Sequence, residues 1–244
     1  MVRDENAVIF DPLYLILAAP GLLLGLWAQW RVKSTFTRYA AIPTSQGRTG
    51  AEVAAAILRT EGIDGVRIEP SQGFLSDHYS PGERTLRLSP DVFGGRSIAA
   101  AGVAAHEVGH AIQHARSYPF LGMRSTLVPV VQFASPLAVP TIVGGFVLSS
   151  LSGGSMGQLL ILGGLALFAA VVLFQLITLP VEFDASRRAL ASLEHGRLMS
   201  PGELEGAAQV LRAAAWTYVA AAVSAILTFL YFLIRSGLLG GRRD

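Results

Sequence analysis

The chain has no cysteine and few charged residues for its length. Of its 244 residues, 15% are Asp, Glu, Lys or Arg and 52% are hydrophobic. Without cysteine, disulfides and thiolate metal sites are excluded, so any metal must be bound by histidine and carboxylate. Soluble domains carry roughly 25% charged residues, so a freely soluble globule is not expected. A disordered chain is excluded too, because it would be polar and highly charged.

The net charge is also small. The 19 Lys and Arg residues nearly balance the 17 Asp and Glu residues, which leaves a formal charge of +2. This balance gives no reason to expect a nucleic-acid partner.

The hydrophobic residues are concentrated in four long runs. About 20 mostly apolar residues are needed to cross the ~30 Å hydrocarbon core of a bilayer. Prolines interrupt the second run, which therefore predicts a kinked span. The pattern predicts a mainly α-helical integral membrane protein that is embedded in the lipid bilayer. The predicted spans are residues 12–30, 126–150, 159–179 and 213–234.

Basic residues near the ends of the first span predict its orientation. Arg31, Lys33 and Arg38 follow this span, whereas Arg3 alone precedes it. Because basic residues favour the cytoplasmic side, residues 31–125 are expected in the cytoplasm.

Two further crossings bring residues 181–212 back to the cytoplasmic side. Arg187, Arg188 and Arg197 in this segment agree with the preference of basic residues for the cytoplasm. Four crossings would, however, place the arginines of the tail outside. Either the fourth span does not fully cross or the tail charges are tolerated. These tail residues are Arg235, Arg242 and Arg243.

The polar segments contain recognisable helix and strand signals. Thr49 and Glu52 form a capping box at the start of a short helix. Residues 66–88 are interpreted as two strands, VRIEP and TLRLSP, joined by a turn-rich stretch. Ser97 can cap a helix that ends before Pro119. A small β element outside the bilayer is therefore expected beside this helix.

Two more helices are expected after the third span. The first is a polar helix over residues 182–195, and the second begins at Ser200 and continues into the fourth span.

The Ser97 helix contains the sequence AAHEVGHAIQH. His106 and His110 are four residues apart, so they lie on one face, one turn apart, and both can reach one metal ion. Glu107 follows the first histidine and can act as a general base toward water. This HExxH pattern predicts two zinc ligands and a base for metal-assisted peptide hydrolysis.

A catalytic zinc needs a third protein ligand and one open position. His114 is two turns from His106, ~12 Å along the helix axis, which is too far. Glu182, directly after the third span, is expected to be the third ligand. Asp184 is the alternative, or it orients a histidine ligand through the other ring nitrogen.

Substrate contacts are predicted less specifically. His78, Tyr79 and Arg187 are candidate donors of hydrogen bonds to the oxyanion. The strand TLRLS is expected to form a sheet edge that pairs with an extended peptide substrate.

Five blocks of this sequence resemble the YugP-type family, the neutral zinc metallopeptidases of bacterial membranes. The blocks are TGAEVA, GFLSDHY, TLRLSP, AAHEVGHAIQ and LPVEFDASRRAL, in that order. The resemblance implies a multi-pass protein of the bacterial inner or plasma membrane that holds one zinc ion. It also implies that His106 and His110 are ligands and that Glu107 is catalytic.

The sequence is more distantly similar to the HtpX/Ste24 zincin membrane proteases. In those proteins a Glu from an E-x-x-x-D block completes the site, a gluzincin-like arrangement. Glu182 matches this Glu, whereas Ser186 stands at the position of the final Asp, and an acidic residue is found at Asp184 instead.

These observations predict a zinc-dependent endopeptidase that cleaves membrane-associated proteins or peptides. One alternative is a non-proteolytic membrane scaffold or chaperone with a structural zinc site. A metal site without an open coordination position would favour that alternative. A metal transporter would need ionisable residues in mid-span, which the predicted spans lack.

Overall fold

The computed structural model of the chain describes residues 11–73, 76–152 and 154–238. Within these residues the chain is mainly helical, with one small sheet. The helices are α1 (Pro12–Ala40), α2 (Gly50–Thr60), α3 (Pro90–Phe93), α4 (Ile98–Ala115), α5 (Pro119–Ser152), α6 (Ser155–His195) and α7 (Pro201–Arg235), and the strands are β1 (Arg67–Pro70), β2 (His78–Ser80) and β3 (Thr85–Leu88).

Four of the described helices, α1, α5, α6 and α7, are long and apolar enough to cross a membrane. The prediction of a mainly α-helical protein with four membrane helices and a small β element is therefore confirmed. All four helices extend beyond the predicted spans. In particular, the polar helix expected over residues 182–195 is not separate, since α6 continues through Pro180 as one helix.

The described residues fall into two compact units. We call the first the helical unit; it contains the described residues within 1–27, 123–177 and 219–244. We call the second the site unit; it contains the described residues within 28–122 and 178–218.

In the helical unit, the backbones of α5 and α6 approach each other closely at two glycines. A Cβ atom added to Gly145 would lie 2.8 Å from the carbonyl oxygen of Gly157, and the reverse distance is also 2.8 Å. Small residues at such a contact are typical of membrane helices, because they allow backbones to approach closely. Apolar side chains from several helices pack beside this contact; the fully buried ones include Ala138, Ile142 and Tyr231.

An ion pair lies where α1 begins and α7 ends. Asp11 accepts a hydrogen bond of 3.1 Å from the Tyr231 hydroxyl and lies 3.8 Å from Nε of Arg235. The start of α1 and the end of α7 are thus at the same end of the helical unit. This favours four complete crossings, with the charge of Arg235 balanced by a carboxylate. Arg242 and Arg243 lie outside the described residues.

The sheet of the site unit has the strand order β1-β3-β2. β1 pairs with β3 in parallel, and β2 pairs with β3 in an antiparallel hairpin. The expectation of two strands was incomplete, because β2 lies within the stretch interpreted as turns. Its three residues are too few to show a strand pattern.

The core of the site unit is formed by α2, α4 and the sheet. Val53, Ile57, Leu86, Leu88 and Val108 are almost completely buried there. The capping box predicted at the start of α2 is present, with the Thr49 hydroxyl accepting from the Glu52 amide. This core holds α4 in place, and α4 carries the candidate site.

Candidate metal centre

Helix α4 begins where the sequence predicts. The Ser97 hydroxyl caps it by accepting a hydrogen bond of 3.1 Å from the Ala100 amide. One face of α4 presents His106 and His110, whose ring centroids are 4.9 Å apart. His110 and Glu107 are buried, and His106 is partly buried.

A glycine lets α6 approach this face of α4. A Cβ atom on Gly109 would lie 2.3 Å from the carbonyl oxygen of Ala185, closer than any real side chain could be. Glu182 is one turn before Ala185 on α6, and 2% of its side chain is exposed. The missing side chain at position 109 therefore brings the Glu182 carboxylate over the two histidines.

The three predicted ligands converge in the structure. Oε2 of Glu182 lies 3.2 Å from Nε2 of His106 and 3.7 Å from Nε2 of His110. One potential ligand atom from each of the three residues lies within 4.8 Å of the others. Asp184, the alternative ligand, is not part of this group.

This arrangement fits a zinc ion. Two imidazole nitrogens and one carboxylate oxygen are a donor set that zinc uses in catalytic sites. Tetrahedral zinc with bonds of about 2.0–2.1 Å separates its ligand atoms by about 3.3–3.4 Å. The two distances from Glu182 are close to that separation.

Other polar groups hold the second ring nitrogen of each histidine. Nδ1 of His106 lies 3.1 Å from the Ser186 hydroxyl, and Nδ1 of His110 lies 3.0 Å from Oε1 of Gln113. Such outer contacts fix the rotation of a ligand ring. Ser186 is thus in direct contact with a predicted ligand.

Asp184 does not contact either histidine ring directly. Its carboxylate accepts a hydrogen bond of 2.9 Å from Nε2 of Gln113 and forms ion pairs with Arg187 and Arg188. The expected contact between Asp184 and the other ring nitrogen of a histidine is therefore not present, because Gln113 lies between Asp184 and His110.

The environment of Glu107 changes its acidity. Burial raises the pKa of the Glu107 carboxyl to about 7. The electrostatic interaction with His106 and a hydrogen bond from the Tyr79 backbone amide oppose this rise, while the nearby carboxylates of Glu182 and Asp77 add to it. The candidate base thus lies beside the ligands with a pKa near neutrality.

The remaining polar candidates have other partners. The Tyr79 hydroxyl lies 2.9 Å from Nδ1 of His114, so this histidine supports β2 against α4. His78 is exposed, with Nδ1 2.9 Å from the carbonyl oxygen of Ser76. Arg187 is 77% exposed and pairs with Asp184. Oxyanion stabilisation by His78, Tyr79 or Arg187 stays a prediction.

The strand TLRLS is not a sheet edge, so that expectation was wrong. Strand β3 is the middle strand, paired with β1 on one side and β2 on the other. The outer strands are β1 and β2, and β2 is the one whose Tyr79 amide faces Glu107. The three residues of β2 show no strand pattern in the sequence, so the sequence does not predict a neighbour for β3 on that side.

Three residues of the site are not predicted by the sequence. Gly109 occupies a variable position of the HExxH pattern, Gln113 lies outside that pattern, and Ser186 differs from the Asp of the E-x-x-x-D block. Helical spacing could have indicated Gln113, since residues three apart are neighbours on a helix surface.

Four helices that are long and apolar enough to cross a membrane, together with two histidines and one glutamate that could hold a metal ion, are the features of a membrane-bound zinc peptidase. A family model described as "Putative neutral zinc metallopeptidase" matches residues 14–237. The chain belongs to this family, and the resemblance found in the sequence is confirmed.

One relative is similar over nearly its full length. The "Putative membrane protease YugP" of Bacillus subtilis (strain 168) is 47% identical over 222 residues, which cover 91% of this chain and 96% of the relative. No solved structure matches the chain.

Proposed function

We propose that this chain is a membrane-embedded endopeptidase that uses one zinc ion to hydrolyse peptide bonds. The observation that carries the proposal is the convergence of His106, His110 and Glu182 beside the buried carboxyl of Glu107. The printed descriptions of the family and of its relative, a zinc metallopeptidase and a membrane protease, support the same activity.

Each residue of the site has a role in this reaction. His106, His110 and Glu182 would hold zinc, which when bound supplies a Lewis acid that polarises the scissile carbonyl and acidifies water. Glu107 accepts a proton from the attacking water on its carboxylate and then donates it to the nitrogen of the leaving amine. Ser186 and Gln113 keep the two imidazole rings in place.

The cytoplasmic location of the site is part of the proposal. It is supported by Arg31, Lys33 and Arg38 after the first apolar run. A peptidase site in a chain that also has four apolar helices suits substrates that are themselves membrane proteins or peptides near the membrane surface. The proposed setting is the inner or plasma membrane of a bacterium.

The experiment uses the purified full-length protein in detergent. Zinc content is measured after gel filtration, and cleavage is measured with a mixture of unstructured peptides and membrane-protein fragments. We expect one zinc per chain and peptide hydrolysis. Glu107→Gln should retain zinc and lose at least about 100-fold in cleavage rate, since a general base contributes about 10²–10⁴-fold.

A matched control is Glu194→Gln, the same change at an exposed position of α6. This variant should behave as wild type. Full activity in Glu107→Gln would contradict the mechanism. Zinc bound stoichiometrically without cleavage of any peptide would favour a structural zinc site in a non-proteolytic scaffold or chaperone.

A further inference from the structure

Gln113 is completely buried and all of its hydrogen-bonding atoms point to specific partners. Its side chain is 0% exposed. Nε2 lies 2.8 Å from the carbonyl oxygen of Val181 and 2.9 Å from Oδ2 of Asp184, and Oε1 lies 3.0 Å from Nδ1 of His110. This amide therefore connects α4, which carries it, with two positions on α6.

These partners leave only one orientation of the amide. A backbone carbonyl oxygen can accept a hydrogen bond but not donate one, so the group that faces Val181 must be the NH₂ end. Asp184 is paired with Arg187 and Arg188 and also acts as an acceptor. The oxygen end of Gln113 consequently faces His110.

The orientation of Gln113 selects a tautomer of His110. Because Oε1 can only accept, Nδ1 of the histidine must carry the hydrogen. In the neutral ring, Nε2 then has a free lone pair, and this atom lies 3.7 Å from the Glu182 carboxylate. A lone pair in that place is what a metal ion requires of a histidine ligand.

We propose that Gln113 is a positioning residue that holds His110 in its metal-binding tautomer and transmits the effect of Asp184 to it. The Asp184 carboxylate polarises the amide from the NH₂ side and so strengthens the acceptor oxygen on the other side. Asp184, Gln113 and His110 are thus connected by successive hydrogen bonds, from carboxylate to amide to imidazole. The inference rests on the proposed zinc site.

The first test needs no substitution at Gln113. Full-length protein labelled with ¹⁵N in its histidines is treated with a chelator, and the ring nitrogen shifts of His110 are recorded by NMR. In the neutral ring we expect the hydrogen on Nδ1. A neutral ring with its hydrogen on Nε2 and none on Nδ1 would overturn the proposal. The result does not depend on peptide hydrolysis, so it stands apart from failure of the proposed enzyme activity.

The second test is Gln113→Met, which keeps the length of the side chain but removes its donor and acceptor. Zinc affinity is measured by competition with a chelator. We expect a loss of about 10–100-fold, the usual effect of removing an outer partner of a ligand, and a loss of the Nδ1–H tautomer. The matched control is Gln209→Met at an exposed position of α7, which should leave affinity unchanged.

The link to Asp184 is tested by a double-mutant cycle. Asp184→Asn should weaken zinc binding in the wild-type background and have little further effect when Gln113 is already Met. Equal losses in both backgrounds would show that Asp184 does not act through Gln113. A zinc affinity of Gln113→Met within twofold of wild type, with the tautomer unchanged, would overturn the role of Gln113 itself.

Discussion

Gly109 and Ala185 meet backbone to backbone: a Cβ atom on the glycine would lie 2.3 Å from the alanine carbonyl oxygen. Gly109 lies directly before His110 on α4, and Ala185 is one turn after Glu182 on α6. The distance between the two helices is thus set by the smallest residue at the point where the ligands converge. The convergence of His106, His110 and Glu182 therefore depends on this contact.

Substituting Gly109 with Ala should therefore disrupt the site. The added methyl must push α6 away from α4, which moves the Glu182 carboxylate from the two histidines. We expect a loss of about 1–3 kcal/mol in unfolding free energy, as for other overpacked contacts, together with weaker zinc binding. Thermal unfolding and chelator competition measure the two effects.

Gly122→Ala provides the control, because no atom lies within 4 Å of a Cβ atom at that helical position. Alanine there should stabilise the helix by up to about 1 kcal/mol. If Gly109→Ala bound zinc as tightly as Gly122→Ala, the close approach would not be what forms the site.

Ser186 should influence zinc affinity through His106. Ser186→Ala removes the hydroxyl that lies 3.1 Å from Nδ1 of the histidine, and we expect zinc affinity to fall about tenfold. Ser186→Asp supplies a stronger acceptor and should raise the affinity above that of wild type. In chelator competition, zinc affinity should decrease from Ser186→Asp to wild type to Ser186→Ala. Any other order of affinities would refute the orienting role of Ser186.

Stability of the chelator-treated protein should depend on pH through Glu107. Its pKa is about 7 in the folded chain against 4.5 for an ordinary glutamate. Folding therefore favours the protonated form of Glu107. The contribution of Glu107 to the free energy of unfolding is complete below pH 4.5 and declines as the pH rises to 7. The difference corresponds to about 3 kcal/mol.

Glu107→Gln removes that titration. Its stability relative to wild type should increase between pH 4.5 and pH 8, as measured by denaturant unfolding in detergent. Glu194→Gln should follow wild type throughout. A constant difference between Glu107→Gln and wild type across this range would mean that Glu107 does not have a raised pKa.

The absence of cysteine allows a direct test of orientation. Single cysteines placed at exposed residues, Asp91→Cys and Leu238→Cys, are labelled in intact cells with a reagent that does not cross the membrane. Leu238→Cys should react and Asp91→Cys should react only after the cells are permeabilised. The reverse pattern would place the site outside the cell.

Much of the site could be predicted from the sequence because helical spacing is a local property. His106 and His110 follow from the HExxH pattern, and Ser97 caps their helix as predicted. Glu182 lies 72 positions after His110 in the sequence, so its place beside the histidines could be predicted only with the order of the membrane spans.

Other features depend on contacts that no local pattern shows. Strand β2 is defined by its pairing with β3, so its short sequence was interpreted as turns and β3 was wrongly expected at an edge. The roles of Gly109 and Gln113 arise only when α6 lies against α4. Tertiary contact, rather than propensity, determines all three.

The most direct test of the account is a structure of the zinc-loaded protein with anomalous scattering data recorded at the zinc edge. We expect one anomalous peak, with Nε2 of His106, Nε2 of His110 and a carboxylate oxygen of Glu182 each at about 2.0–2.2 Å. One coordination position should be left to solvent, on the side of Glu107. A zinc ion bound elsewhere, or bound at this place without Glu182, would contradict the account.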